Sequence, residues 1–233
     1  MSSTLPTARA EAGALRAALD GVRARIAGAC ARARRDPAGV RLVAVSKTVP
    51  AARILQAVAC GQHAFGENRV QEALAKMPEV GAGASWQLVG HLQRNKVREV
   101  VGRFELIHAV DSVRLAAELE RRAAERPWRQ AVLVQVNLAG ETSKSGIAPA
   151  ELPPLLDALA GMPHLEVRGL MTIPPPVARA EQSRRWFAQL RELGGRWALP
   201  ELSMGMSDDF EVAVEEGATL LRVGRAIFGE RTG

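Results

Sequence analysis

Two stretches of this chain carry residue types that could do chemistry together. One is C-terminal: Leu202-Ser-Met-Gly-Met-Ser-Asp-Asp-Phe210, followed by Leu221-Arg-Val-Gly-Arg-Ala-Ile-Phe-Gly229. It reads as a strand, a glycine-containing loop, a helix, and a second strand that ends in another glycine turn. Gly217 closes the helix, and Thr219–Val223 is the short apolar strand. Ser207 before Asp208 and Asp209 looks like an N-cap with acids in the first turn, so the helix is expected to start there. Backbone N–H groups at Gly205–Ser207 and around Gly224–Arg225 would then face each other across neighbouring strand ends. That arrangement suits a phosphate, since unpaired N–H groups and the helix dipole both favour an anion. The other stretch is Leu42-Val-Ala-Val-Ser-Lys47-Thr-Val-Pro50, a strand that ends on an amine.

These residues need a frame that brings chain positions 47 and 207–225 together. Residues 8–35 read as a long helix with Leu15, Leu19, Val22 and Ile26 at helical spacing, broken by Asp36-Pro-Ala-Gly39. From there short apolar runs alternate with helical stretches. The runs are 40–46, 63–66, 86–90, 106–110, 132–138, 167–171, 201–204 and 220–223. The helical stretches are 51–60, 69–77, 96–101, 112–125, 149–159, 179–193 and 208–216. Bulky strands without strict alternation are those of a parallel sheet buried on both faces. Eight of them with intervening helices predict an α/β fold, a (β/α)8 TIM barrel with an extra N-terminal helix, over residues 1–233 as one domain. An open doubly wound sheet is the alternative. In a closed barrel the first strand neighbours the eighth, and barrels place a phosphate on the loops after their last two strands.

A lysine able to form a Schiff base beside a phosphate site is what pyridoxal 5′-phosphate requires. Taken alone, a strand-end lysine more often reaches into water. Here the chain is nearly lysine-free, with only Lys47, Lys76, Lys96 and Lys144, and the cradle lies on the adjacent side of the same mouth. Other residues stay open between two readings. Asn68 caps the next helix or faces the site; Arg222 joins an ion pair or the site. His91 is an acid/base at the mouth or a structural histidine. Lys144, in a loop of small residues, is solvated or a second amine that takes the cofactor during release. Met171, Met204 and Met206 read as core filler. His63, His108 and His164 have no metal-ligand spacing.

The chain resembles the pyridoxal phosphate homeostasis protein family, single-barrel relatives of the N-terminal domain of alanine racemase. The matching segments are Val43–Lys47, Phe65–Glu72, Trp86–Lys96, His108–Ser112, Val134–Leu138 with Lys144–Gly146, Arg168–Thr172 and the C-terminal block. The resemblance implies pyridoxal phosphate held as a reversible aldimine on Lys47, without established turnover and with a role in cofactor balance. It implies Asn68 beside the cofactor, Ser207, Gly224 and residue 225 on the phosphate, and Arg222 near the pyridine nitrogen. Arg225 stands where threonine is common, so the hydroxyl contact is lost and a guanidinium points outward or adds a charged one. An arginine can only donate to an unprotonated nitrogen, which leaves the ring a weak electron sink. Racemases of the related fold take an opposing tyrosine from a second domain, and this chain has no tyrosine. A carrier or buffer of the cofactor is therefore expected, handing it to pyridoxal phosphate-dependent apoenzymes. An amino-acid racemase or lyase is the alternative.

Composition bounds the rest. With 233 residues, 47% of them hydrophobic, the chain can bury a full core. Cys30 and Cys60 are too few for a disulfide scaffold. The first residues lack the basic and apolar regions of a signal peptide, and no apolar run spans a membrane, so a cytoplasmic location is expected. The net charge of +6 comes mostly from arginines spread beside glutamates, which reads as a salt-bridged surface and not a nucleic-acid face. A monomer without a metal is expected.

Overall fold

The protein is described by a computed structural model covering residues 4–141 and 145–230, with side chains from residue 12. In chain order the elements are α1 (Thr4–Arg32), β1 (Arg41–Val45), α2 (Ala51–Ala59), β2 (Ala64–Glu67), α3 (Val70–Val80), β3 (Ser85–Leu88), α4 (Val97–Val100), β4 (Leu106–Val110), α5 (Val113–Ala124), β5 (Gln130–Gln135), α6 (Leu152–Ala160), β6 (Leu165–Met171), α7 (Arg184–Arg196), β7 (Glu201–Ser203), α8 (Phe210–Glu215), β8 (Leu220–Val223) and α9 (Arg225–Phe228). The strands pair in sequence order, and β8 returns to pair in parallel with β1. Arg41 to Ala44 lie opposite Leu220 to Val223, so the sheet is a closed barrel and not an open one. This closure carries residue 47 to the loop that follows β8.

Two apolar layers hold the barrel. Val43, Leu106, Ala131, Leu133, Met171 and Leu220 form a small cluster of their own. A larger cluster joins the sheet to the helices, including Phe65, Ile107, Leu119, Phe187 and Phe210, all fully buried. The alternation of strand side chains produces the two layers, one on each face of the sheet. Leu15, Leu19, Val22 and Ile26 of α1 are buried at the predicted spacing. Arg25 of α1 lies 4.4 Å from the centre of the Phe210 ring and 2.7 Å from Glu211, which fixes α1 against α8. Arginines of α5 and α7 pair with neighbouring glutamates, among them Arg122–Glu118 at 3.0 Å and Arg184–Glu216 at 2.8 Å. The expected salt-bridged surface is thus present there.

Four local expectations are corrected. α1 ends at Arg32, because Asp36 accepts from Ala38 N–H and opens a 3₁₀ turn at Pro37–Gly39. α3 runs past Pro78 to Val80, and Gly81, with φ 70°, is where it stops. Ser207 does not cap α8: the helix starts at Phe210 after Asp209, and the Ser207 hydroxyl is engaged elsewhere. α9, a single helical turn after Gly224, stands where the sequence reads only as a glycine turn.

Candidate functional site

A cavity of about 780 Å³ opens at the C-terminal ends of the strands, and Lys47, Asn68, Ser207, Arg222, Gly224 and Arg225 all line it. All six residues singled out from the sequence therefore meet at one place. A second cavity of about 500 Å³ lies at the opposite end of the barrel, lined by residues such as Arg41, His63 and Glu105. Active sites of this fold sit at the C-terminal face, and the candidate chemistry is there too.

One side of the mouth is built from two loops. Gly205, after β7, has φ 89°, and a Cβ there would lie 2.6 Å from that of Ala213 and 3.0 Å from Phe210 Cα. Only glycine fits, so the chain can turn tightly from β7 into α8. Gly224, after β8, packs so near β1 that a Cβ would meet the Val45 carbonyl oxygen at 3.1 Å. The Ser207 Oγ accepts from Ala226 N–H at 3.2 Å, which ties the two loops together. A hydroxyl that accepts in this way still has its own O–H to donate. Arg225 is paired with Asp208 and has Glu230 3.9 Å away. The outward alternative for Arg225 is the one seen, and its charge offsets two carboxylates at the rim.

Arg222 is 4% exposed, and its guanidinium donates to Ser203 Oγ at 2.5 Å and to the Thr172 carbonyl at 2.8 Å. Burial pulls its pKa down to about 10, so it remains a cation at neutral pH. Ser203 Oγ is also 2.8 Å from His108 Nδ1, and His108 Nε2 is 2.8 Å from Gln87 Oε1. Arginine can only donate, so Ser203 accepts from it and passes its own proton to Nδ1. Nε2–H then donates to Gln87. Burial, with Arg222 beside it, holds His108 neutral, its pKa well below the usual histidine value.

Lys47 is half-buried on the turn after β1. Asn68 follows β2; α3 is capped at Arg69 with no side-chain bond, so Asn68 is no cap and faces the cavity. His91 Nδ1 is 3.3 Å from Ser145 Oγ and 3.7 Å from an Asp111 carboxylate oxygen, and among the described residues it makes no bond to a backbone carbonyl. Lys144 lies outside the described residues. The supports of Arg222 and of the Lys47 turn were not singled out from the sequence. His108 had a signal: a histidine at the centre of the apolar run 106–110 must be buried and needs partners. Lys76 had another, since it stands one helical turn after Glu72. Among the described residues no group of three or more His, Cys, Asp or Glu could hold a metal, and no helix is long and apolar enough to cross a membrane.

Fold and site together define a (β/α)8 barrel with an amine, a buried guanidinium and two glycine-shaped loops at its mouth. Residues 18–232 match the family model for the alanine racemase N-terminal domain. The chain is 48% identical over 214 residues to the pyridoxal phosphate homeostasis protein of Pseudomonas aeruginosa, covering 90% of this chain and 93% of that one. It is 44% identical over 214 residues to the protein of that name from Aquifex aeolicus, covering 89% and 94%. The solved structure of PipY from Synechococcus elongatus, with PLP bound, aligns with a TM-score of 0.78 at 44% identity, over 88% of this chain and all of that one. The chain belongs to the alanine racemase N-terminal domain family, among its pyridoxal phosphate homeostasis proteins.

Proposed function

We propose that this protein binds pyridoxal 5′-phosphate reversibly through Lys47 and acts as a carrier or buffer of the cofactor. One observation carries the reading: Lys47, Arg222 and the Ser207–Gly224 cradle line a single cavity. The residues fit the group. The Ser207 hydroxyl and the backbone N–H groups of Gly224 and Arg225 would hold the phosphate, Arg222 the ring nitrogen, and Asn68 would stand beside the ring. When bound, the group supplies an aldehyde carbon that condenses reversibly with an amine and releases one water. Arg222, pinned by Ser203 and Thr172, is a fixed donor and cannot accept a proton from a substrate.

Turnover is not part of the proposal. The chain has no tyrosine to serve as an opposing base, and His91 is turned to Ser145 and Asp111. Pyridoxal phosphate-dependent apoenzymes are the proposed recipients, in the cytoplasm, with the protein acting as a monomer. The test is borohydride treatment of the loaded protein followed by peptide mass mapping. The label is expected on Lys47, and Lys47→Ala should lose the reducible visible band. A label mainly on Lys76, Lys96 or Lys144, or an undiminished band in Lys47→Ala, would be inconsistent with the assignment.

A further inference from the structure

The turn that presents Lys47 is held in an unusual shape. Thr48, the next residue, is β-branched and exposed, yet has φ 64°, a region such residues rarely adopt. Its own hydroxyl donates to the Lys47 carbonyl at 2.6 Å, and its neighbours supply the remaining contacts that hold the turn. Val49 N–H closes the turn onto the Ser46 carbonyl at 2.9 Å. The Thr48 N–H donates to a carboxylate oxygen of Glu72 on α3. On the other side of Lys47, Ser46 Oγ donates to Glu67 Oε1 at 2.8 Å.

A second lysine links these points. Lys76 of α3 is 8% exposed, and its ammonium donates to the Ser46 carbonyl at 2.8 Å, Glu67 Oε1 at 2.8 Å and Glu72 Oε1 at 2.6 Å. Glu67, at the end of β2, is fully buried. Burying an ammonium with two carboxylates is costly unless the groups satisfy one another; all three Lys76 donors are used here, while Glu67 Oε2 is buried without a hydrogen-bond partner among the described residues. Their bonds end on the peptide before Lys47 and on the N–H after it. An ion cluster placed only to join α3 to β2 would have no need of either contact.

We infer that Lys76, Glu67 and Glu72 are positioning residues that hold the turn from Ser46 to Val49 in its strained shape and so aim the Lys47 amine into the cavity, Glu72 acting through the Thr48 N–H. This inference rests on Lys47 being the amine that takes the cofactor. Its consequence is specific: the carboxylate of Glu72 matters because residue 48 is not glycine. A glycine at 48 adopts positive φ without strain, and the turn then keeps its shape without Glu72.

The experiment compares Glu72→Ala in the wild type and in a Thr48→Gly background. Two readouts are used: the rate at which added pyridoxal phosphate becomes borohydride-fixable on Lys47, and amide hydrogen exchange of residues 43–50 without the cofactor. In the wild-type background, Glu72→Ala should slow capture by about tenfold and raise exchange in that segment. In the Thr48→Gly background the same substitution should slow capture by less than about threefold. Glu72→Gln, which keeps an acceptor for the Thr48 N–H, should stay nearer the wild type than Glu72→Ala. If Glu72→Ala does not fold, Glu72→Met, which keeps the side-chain length but has no oxygen acceptor, carries the same comparison in the two backgrounds. An equal loss in both backgrounds, or no loss in either, overturns the positioning role. Failure of the wild-type protein to capture the cofactor on Lys47 overturns the binding reading instead, and the exchange measurement still judges the turn.

Discussion

At the scale of single residues, the buried imidazole of His108 is the clearest case of environment setting chemistry. Its two nitrogens are spent on Ser203 and Gln87, and a cation, Arg222, shares Ser203 with it. A proton added to His108 would be buried, would face Arg222 and would break the donor order of the chain. The pKa of the folded state is therefore depressed below that of the unfolded chain, near 6.5. With a depressed folded pKa the unfolded state binds more protons as pH falls, so the associated stability is present above about pH 6.5 and lost below it. Between about pH 7.5 and about pH 5.5 one such histidine removes roughly 1.4 kcal/mol of folding free energy. Urea unfolding at the two pH values should show this loss in the wild type and not in His108→Gln. Glu67, Glu201 and Asp209 are raised by burial and act with the opposite sign, but they are common to both proteins and cancel in the comparison. Equal losses in both would mean His108 is not neutral in the fold.

Among the elements, the β7–α8 loop and the β8–α9 turn form the side of the site proposed to take the phosphate. Neither is long; Gly205 in the first has no room for a Cβ, and Gly224 in the second packs tightly against the Val45 carbonyl. The Ser207–Ala226 bond sets the distance between them, so the cradle is preformed and needs little ordering on binding. Charge-assisted hydrogen bonds contribute roughly 1.5–3 kcal/mol each, so several to one phosphate should favour pyridoxal phosphate over pyridoxal by at least about 100-fold in Kd. Ser207→Ala should narrow that gap by about tenfold, through loss of the hydroxyl donor and of the tie to Ala226. Equilibrium titration with the two vitamers measures both effects. Comparable affinities in the wild type would remove the phosphate from the argument.

For the whole molecule, closure of the barrel gives one mouth, and what surrounds that mouth separates a carrier from an enzyme. Arg222 stays protonated, its pKa about 10, so the group it faces is never offered an acid that can be given up at neutral pH. Wild-type protein loaded with pyridoxal phosphate and mixed with alanine in heavy water should show little exchange of the Cα hydrogen over hours, read by NMR. Rapid exchange or racemisation would displace the carrier reading in favour of an amino-acid racemase or lyase. It would leave the Lys47 and phosphate assignments standing.

The architecture, and the meeting of the six candidate residues at one mouth, are both legible in the sequence. Short buried strands separated by helices at regular intervals leave two compact solutions that cover both faces of a parallel sheet, a closed barrel or an open doubly wound sheet, and the pairing of β8 with β1 selects the barrel. A lysine ending the first strand and glycines ending the last two must then share its mouth. Periodicity also placed Leu15, Leu19, Val22 and Ile26 against the barrel, because helical spacing alone puts them on one stripe. The environment of each group, by contrast, is set by tertiary packing. Local chemistry reads Ser207 as a cap and leaves Asn68 undecided, because a hydroxyl or amide before a helix fits capping wherever the rest of the chain lies. The Ser207 partner, Ala226, is nineteen residues away and is brought near only when β7 and β8 pair. Arg222, His108 and Ser203 lie on three strands, and the bonds among them exist only because those side chains point inward in a closed barrel. The strained Thr48 is invisible in sequence for the same reason: Glu72 and Lys76, on a later helix, hold a conformation that Thr48 would not choose by itself.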